Sequence, residues 1–424
     1  MHASLLLIFF HSSIARPVPP AAVQIHLSLG ARPSLLALDF VAATANASVG
    51  VSLNGRDFTW VATSSLAAPN LGGFAHQAAL DFSGAAAGEV AHYKIAVGDA
   101  SAGPFPLVPV PARAAPVVAI FADFGFKEDE SMAALTSAAA SGAFDIACLV
   151  GDHAYDFQID ASAMGNEWMN AMQAAFTARL PLQPAAGNHE MCSDCAAVEG
   201  LPSSAGNFSE YRLRYHAVTL THAATSASNI FYSFNVGLTH FIVFSAEAYI
   251  YARSAAFLAN QLAFMRADLA AVDRSAHPWV VALCHKDYTM EPEAFKDFAP
   301  ILEAHGVDVM FVGHVHVYVR SAPYEISTGR VDAACVANGT GAGFDALYSG
   351  CKYMTTIVNG AAGNKEGNHA CGALESPQLT CTSNFGFGLW QATDKSSATW
   401  RWQTSAKDKH SKVANFTDSV RFEK

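Results

Sequence analysis

Val307-Asp308-Val309-Met310-Phe311-Val312-Gly313-His314-Val315-His316 is an apolar run that breaks at once into a glycine and two alternating histidines. The run suits one buried strand, and two histidines two residues apart share a face wherever the chain stays extended. Working outward, three other runs end the same way. Val117 to Phe121 leads into Asp123, Ile146 to Val150 into Gly151-Asp152-His153-Ala154-Tyr155, and Trp279 to Leu283 into His285. The shorter segment Leu182 to Ala186 leads into Gly187-Asn188-His189-Glu190. Helical patterns alternate with these strands. In the clearest, Ser254 to Val272, the residues Leu258, Leu262, Met265, Leu269 and Val272 recur every three or four positions and form a core stripe. Strands alternating with helices predict an α/β fold, and polar groups gathered at strand carboxyl ends predict a crevice along that edge.

Taken singly, these residues have ordinary readings. Asp123 and Asp152 suit helix caps, Gly187-Asn188 suits a turn, and His285 suits a satisfied core histidine. Taken together, two carboxylates, one phenol, one amide and three imidazoles supply enough oxygen and nitrogen donors for two metal ions. His153, beside Asp152, is expected to face either the crevice or solvent.

Upstream the texture differs. Short alternating segments such as Val23 to Leu27 and Tyr93 to Val97, set between Gly, Asn, Ser and Pro turns, predict a small all-β sandwich over residues 16–113. The stretch Gly103 to Pro116, with five prolines, reads as a stiff connector. Residues 114–424 then form the second domain, a β-sandwich flanked by helices and built from βαβαβ units.

Composition limits the function. Apolar residues make up 51 % of the 424 positions and charged ones 14 %, which excludes extended disorder. With 25 Lys and Arg against 36 Asp and Glu, the net charge of −11 argues against a nucleic-acid partner. Beyond the N-terminus no stretch approaches the ~18 apolar residues of a membrane span. Leu5 to Phe10 followed by Ser13-Ile14-Ala15 reads as a signal peptide over 1–15, cleaved after Ala15. Acceptor sequons begin at Asn46, Asn207, Asn338 and Asn415. Of the eight cysteines, Cys335, Cys351, Cys371 and Cys381 crowd one Gly- and Asn-rich region and read as disulfide staples. Cys192-Ser193-Asp194-Cys195 reads as a local disulfide, and Cys148 and Cys284 as buried apolar residues. The expected location is therefore secreted, extracellular or vacuolar.

Asp123-Phe124-Gly125, Gly151-Asp152-His153-Ala154-Tyr155, Gly187-Asn188-His189-Glu190, the strand-end His285 and Gly313-His314-Val315-His316 resemble, block by block, the purple acid phosphatases of the metallophosphoesterase superfamily. Asn359 to Gly367 echoes the family downstream, and the N-terminal segment looks like the fibronectin-type sandwich of plant-like members. The resemblance implies that Asp123, Tyr155 and His316 hold a ferric ion. It implies that Asn188, His285 and His314 hold a divalent ion, Zn, Mn or Fe, with Asp152 bridging the two. It further implies hydrolysis of phosphate monoesters at acid pH by metal-bound hydroxide, a colour arising from Tyr155, and His189 as the residue that binds phosphate or protonates the leaving alkoxide.

Two departures stand out. Ala122 precedes Asp123 where the family generally has glycine. Met290 to Phe298 contains none of the histidines that plant-like members place there, which leaves Glu291, Glu293 or Tyr288 as substitutes. The alternatives are a phosphodiesterase-like metallophosphoesterase and an inactive binding glycoprotein on the same scaffold. Gly125 and Tyr155 speak against the first, and a complete donor set against the second. The expected partner is a phosphate monoester, acted on by a monomer or homodimer.

Overall fold

In the computed structural model, residues 21–424 are described apart from 33, 110, 112, 128–129, 192–207, 248, 250–254, 339–342 and 406–414. The signal segment 1–15, the Cys192–Cys195 pair and Asn207 lie outside the described residues.

The chain opens with two four-stranded antiparallel sheets. One is ordered Val23–Leu29, Leu35–Ala42, Gly73–Asp81, Ser64–Ala68, and the other Thr59–Ala62, Ala47–Ser52, Ala91–Val97, Ala100–Leu107. Ile25, Leu27, Leu38 and Phe40 from the first pack against Val49, Tyr93 and Ile95 from the second. The expected connector is shorter than its prolines implied. Pro104 and Pro106 lie in the strand Ala100–Leu107, which pairs only with Ala91–Val97. An edge strand tolerates a missing N–H on its open side, so proline there does not break the ladder.

The rest of the chain is built on two larger mixed sheets, of eight and seven strands. In the first, Leu182–Ala185, Ile146–Val150 and Val118–Phe121 run parallel, followed by antiparallel Gly386–Ala392 and Ser397–Thr404. In the second, Thr239–Val243, Trp279–Leu283, Val309–Val312 and Thr355–Asn359 run parallel, and Tyr318–Ser321 and Gln378–Thr382 close the edge antiparallel. These parallel strands are buried on both faces, which is why they read as unbroken apolar runs.

Aromatic side chains join the two sheets. Trp400 meets Phe311 with ring centroids 4.5 Å apart, and Trp402 meets Tyr318 at 4.7 Å. Indole N–H groups of this layer donate across it, Trp390 to Thr239 at 3.1 Å, Trp400 to Tyr318 at 3.1 Å and Trp402 to Asn359 at 2.9 Å. Burying so much aromatic surface drives the sheets together, and satisfying each indole fixes their alignment.

The helix expected over 254–272 is found at Ala255–Ala271. Met265 and Leu269 are buried, and Leu262 and Val272 pack against the core, but Leu258 stays half-exposed. Gln261 joins this face instead. Its side-chain amide accepts from Ser245 N at 3.0 Å and donates to Ser245 O at 3.0 Å, which meets the cost of burying it. Disulfides link Cys335 to Cys351 and Cys371 to Cys381, while Cys148 and Cys284 are buried thiols. No helix of the described residues is long and apolar enough to cross a membrane.

Candidate metal centre

Both sheets present the carboxyl ends of their parallel strands to one place. Val118–Phe121 delivers Asp123, Ile146–Val150 delivers Asp152 and Tyr155, and Leu182–Ala185 delivers Asn188. From the other sheet, Trp279–Leu283 delivers His285, and Val309–Val312 delivers His314 and His316. Neither aspartate caps a helix. After each, the chain makes a two-residue strand, and Phe124–Gly125 pairs in parallel with His153–Ala154. Asp123, Asp152, Tyr155 and His314 all have positive φ, between 51° and 69°. That backbone is unfavourable for residues carrying a Cβ, and its concentration here marks a place held by its surroundings.

The side chains form two knots. In the first, the Tyr155 hydroxyl lies 3.0 Å from Asp123 Oδ1 and 2.7 Å from His316 Nε2, and His316 Nε2 is 3.4 Å from Asp123 Oδ1. In the second, His285 Nε2 lies 3.0 Å from Asp152 Oδ2 and 3.2 Å from Asn188 Oδ1. His314 joins the second knot, since Asp152, His285 and His314 each offer a ligand atom within 4.8 Å of the others. All of these residues are buried except His314, which is half-exposed. Donors this close and this dry, most of them acceptors when deprotonated, fit two cations.

Outer contacts set the rings. His285 Nδ1 donates to Val150 O at 2.9 Å and His316 Nδ1 donates to Gly367 O at 3.0 Å, which turns both Nε2 lone pairs inward. Asp123 Oδ2 accepts from His314 N at 2.8 Å, and Asp152 Oδ1 accepts from His189 N at 3.0 Å. Glu190 accepts from the backbone N–H groups of Gly187, Asp152 and His153 at 2.7–2.8 Å and so pins the Asp152 turn. Burial and the Asp152 charge push the Glu190 carboxyl up to about 8, against the pull of those donors.

His189 stands at the rim of both knots. Its Nδ1 is 2.5 Å from Asp156 Oδ1, and its Nε2 is 3.8 Å from Asp152 Oδ2 and 4.0 Å from Glu366 Oε1. Burial disfavours the imidazolium, but the Asp152 and Asp156 carboxylates outweigh burial and raise His189 to about 10. Asp156 also lies 3.6 Å from Lys365 Nζ.

Three expectations change. His153 faces neither crevice nor solvent, because its Nδ1 is 2.9 Å from the Tyr215 hydroxyl and its Nε2 is 2.9 Å from Ala185 O, within a cluster that includes Trp168 and Tyr211. Asn188 opens the short helix Asn188–Met191 instead of forming a turn. Of the substitutes named for the missing histidines, Glu291 lies 3.3 Å from Lys286 Nζ, and Glu293 is exposed and paired with Lys296. Asp156, Lys365 and Glu366 were not singled out from the sequence. The last two fall in the stretch Asn359 to Gly367, whose side chains only the fold brings against His189.

Residues 116–318 match the calcineurin-like phosphoesterase family. Acid phosphatase type 7 of Danio rerio is 28 % identical over 281 residues, covering 59 % of this chain and 56 % of its own. Purple acid phosphatase 15 of Arabidopsis thaliana is 36 % identical over 154 residues, covering 34 % of this chain and 26 % of its own. The chain thus spans about half the length, or less, of these curated relatives. Among solved structures, purple acid phosphatase PPD1 from yellow lupin (Lupinus luteus) seeds superposes with a TM-score of 0.74, at 17 % identity, over 96 % of this chain and 75 % of that one. Residues 116–318 are thus similar to the calcineurin-like phosphoesterases, and the chain as a whole has the fold of the lupin purple acid phosphatase.

Proposed function

We propose that this chain is a secreted or vacuolar purple acid phosphatase, a hydrolase of phosphate monoesters working at acid pH. The observation that carries the reading is the first knot, in which the Tyr155 phenol shares one point with Asp123 and His316. A phenolate and a carboxylate suit a hard ferric ion. On this reading Asp123, Tyr155 and His316 would hold Fe(III), Asn188, His285 and His314 would hold a divalent ion, Zn, Mn or Fe, and Asp152 would serve both. When bound, such a pair supplies Lewis-acid stabilisation of the equatorial phosphoryl oxygens and lowers the pKa of water.

The protein's own part is charge, orientation and a proton. Asp123, Asp152 and the Tyr155 phenolate offset three of the five positive charges, so the loaded crevice still attracts a phosphate dianion. His189, with Nδ1–H given to Asp156, presents Nε2–H toward Asp152 and Glu366. There it holds a phosphoryl oxygen or hands its proton to the departing alkoxide. The disulfides at Cys335–Cys351 and Cys371–Cys381, with exposed sequon residues Asn46 and Asn338, support an oxidising, glycosylating route. On this reading residues 16–113 are the accessory sandwich and 114–424 the catalytic domain.

The test is hydrolysis of 4-nitrophenyl phosphate between pH 4 and 8, before and after chelation. Activity highest in the acid half, lost with the metals and restored by iron plus a divalent ion, is the expected result. Activity that survives complete metal removal contradicts it.

A further inference from the structure

The outer face of the N-terminal sandwich carries an aromatic pair that the proposed centre does not use. In the strand Ala47–Ser52, Ala47 and Val49 turn inward to the sandwich core, so Ser48 and Gly50 turn outward. Gly50 pairs with Trp60 on the edge strand Thr59–Ala62, and Trp60 is 49 % exposed. Phe58 and Trp60 both lean over Gly50, where a Cβ would lie 3.1 Å from Phe58 Cβ and 3.3 Å from Trp60 Cδ2. Their ring centroids are 6.5 Å apart and their planes differ by 40°. The glycine seats the rings flat on the sheet and leaves half of the indole open to be stacked upon.

The same face leads to Asn46. Asn46 precedes the inward Ala47, so the alternation that turns Ser48 and Gly50 outward turns Asn46 outward too, and Asn46 is exposed. Four residues of strand separate it from Gly50, about 13 Å at the rise of an extended chain. The track between them is low, because Ser48 is flanked by Ala62 on one neighbouring strand and Ala96 on the other. At its far end Lys94 stands across Gly50 from Trp60. Asn46-Ala47-Ser48 is an N-glycosylation acceptor. A glycan on Asn46 thus begins at one end of a smooth lane that ends on an indole, with an ammonium beside it to donate to sugar hydroxyls. The C–H faces of pyranose rings are apolar and stack on aromatic planes, and tryptophan suits a place where one side packs and the other meets a hydrated partner.

We infer that Asn46 carries an N-linked glycan whose inner sugars lie along this lane and stack on Trp60. The inference goes beyond the phosphatase reading and shares with it only passage through the secretory route. It gives the carbohydrate a structural role. Thr59–Ala62 is an edge strand, and a glycan laid across it hinders pairing with a second chain.

The test uses the full chain secreted by a eukaryotic cell line held to high-mannose glycans. Glycopeptide mass spectrometry reads occupancy at Asn46, and hydroxyl-radical footprinting reads oxidation of Trp60 before and after an endoglycosidase trims each glycan to its first sugar. In the wild type Trp60 should be protected, lose that protection on trimming, and lose it to the same extent in Asn46→Gln. Trp60→Ala, a change at a half-exposed position that leaves the core intact, should keep Asn46 occupied but let its glycan be trimmed faster. Oxidation of Trp60 unchanged by trimming and by Asn46→Gln overturns the inference, whether the ring is bare throughout or covered throughout by a second copy of the chain. Asn46 unoccupied while other acceptor sites are occupied overturns it and leaves the secretory route standing. No acceptor site occupied overturns both.

Discussion

His189 shows how much a single side chain can be asked to do. Two carboxylates keep its imidazole charged well above the usual range, near 10. In the protein free of metal the ring is therefore protonated across pH 4 to 8, and an NMR titration of the metal-free chain should show no His189 transition in that range; a transition there would show that the carboxylates do not hold the charge. His189→Ala is expected to lower kcat/KM of the metal-loaded enzyme by about 10²-fold or more. A loss of less than about threefold would show that His189 neither binds the phosphoryl group nor supplies the proton. Ala122 illustrates a tolerated departure. Its methyl packs where Gly313 has no side chain, so the larger residue leaves Asp123 in place.

At the level of strands and loops, glycines decide whether the ligands can meet. A Cβ at Gly187 would collide with Asp152 Oδ1, and one at Gly313 would stand 2.5 Å from Asp123 Oδ2. Gly187→Ala is expected to fold yet bind fewer than two metal ions per chain, measured by elemental analysis after dialysis; full occupancy would show that the turn yields. These strand ends were legible in the sequence because buried parallel strands leave unbroken apolar runs and the donors follow at once. Other features were not, for physical reasons. Pro104 and Pro106 look like connector residues unless one knows that their strand has an open edge. His153 reads as facing the crevice or solvent until Tyr215, 62 positions away, is seen to hold it.

The first strand is where the whole molecule is joined. Val23–Leu29 pairs with Leu35–Ala42 on one side only, and its free edge is closed by side chains of the larger domain. Gln24 N donates to Asn170 Oδ1 at 3.1 Å, Ile25 N to Gln173 Oε1 at 2.8 Å and Leu29 N to Gln183 Oε1 at 2.7 Å. Such an edge would otherwise invite pairing with another chain. Arg214 sits in the same seam, buried, donating to Gln24 Oε1 at 2.7 Å and to Glu210 Oε2 at 2.7 Å. Removing one partner of a buried pair costs about 3–5 kcal/mol. Arg214→Ala should lose stability of that order in denaturant titration, and the wild type should unfold in one transition. Two separate transitions, with only the first moved by the variant, would show that the N-terminal sandwich and the rest of the chain fold independently.

Tyr155, as a ligand to iron, is what would set this protein apart from other metallophosphoesterases. The most direct measurement is the visible absorption spectrum of the purified, metal-loaded protein beside that of Tyr155→Phe, with iron content determined on both. A broad charge-transfer band in the wild type, absent from the variant while iron remains bound, is the predicted result. A colourless wild type carrying two metals, or a variant that keeps the band, would contradict it.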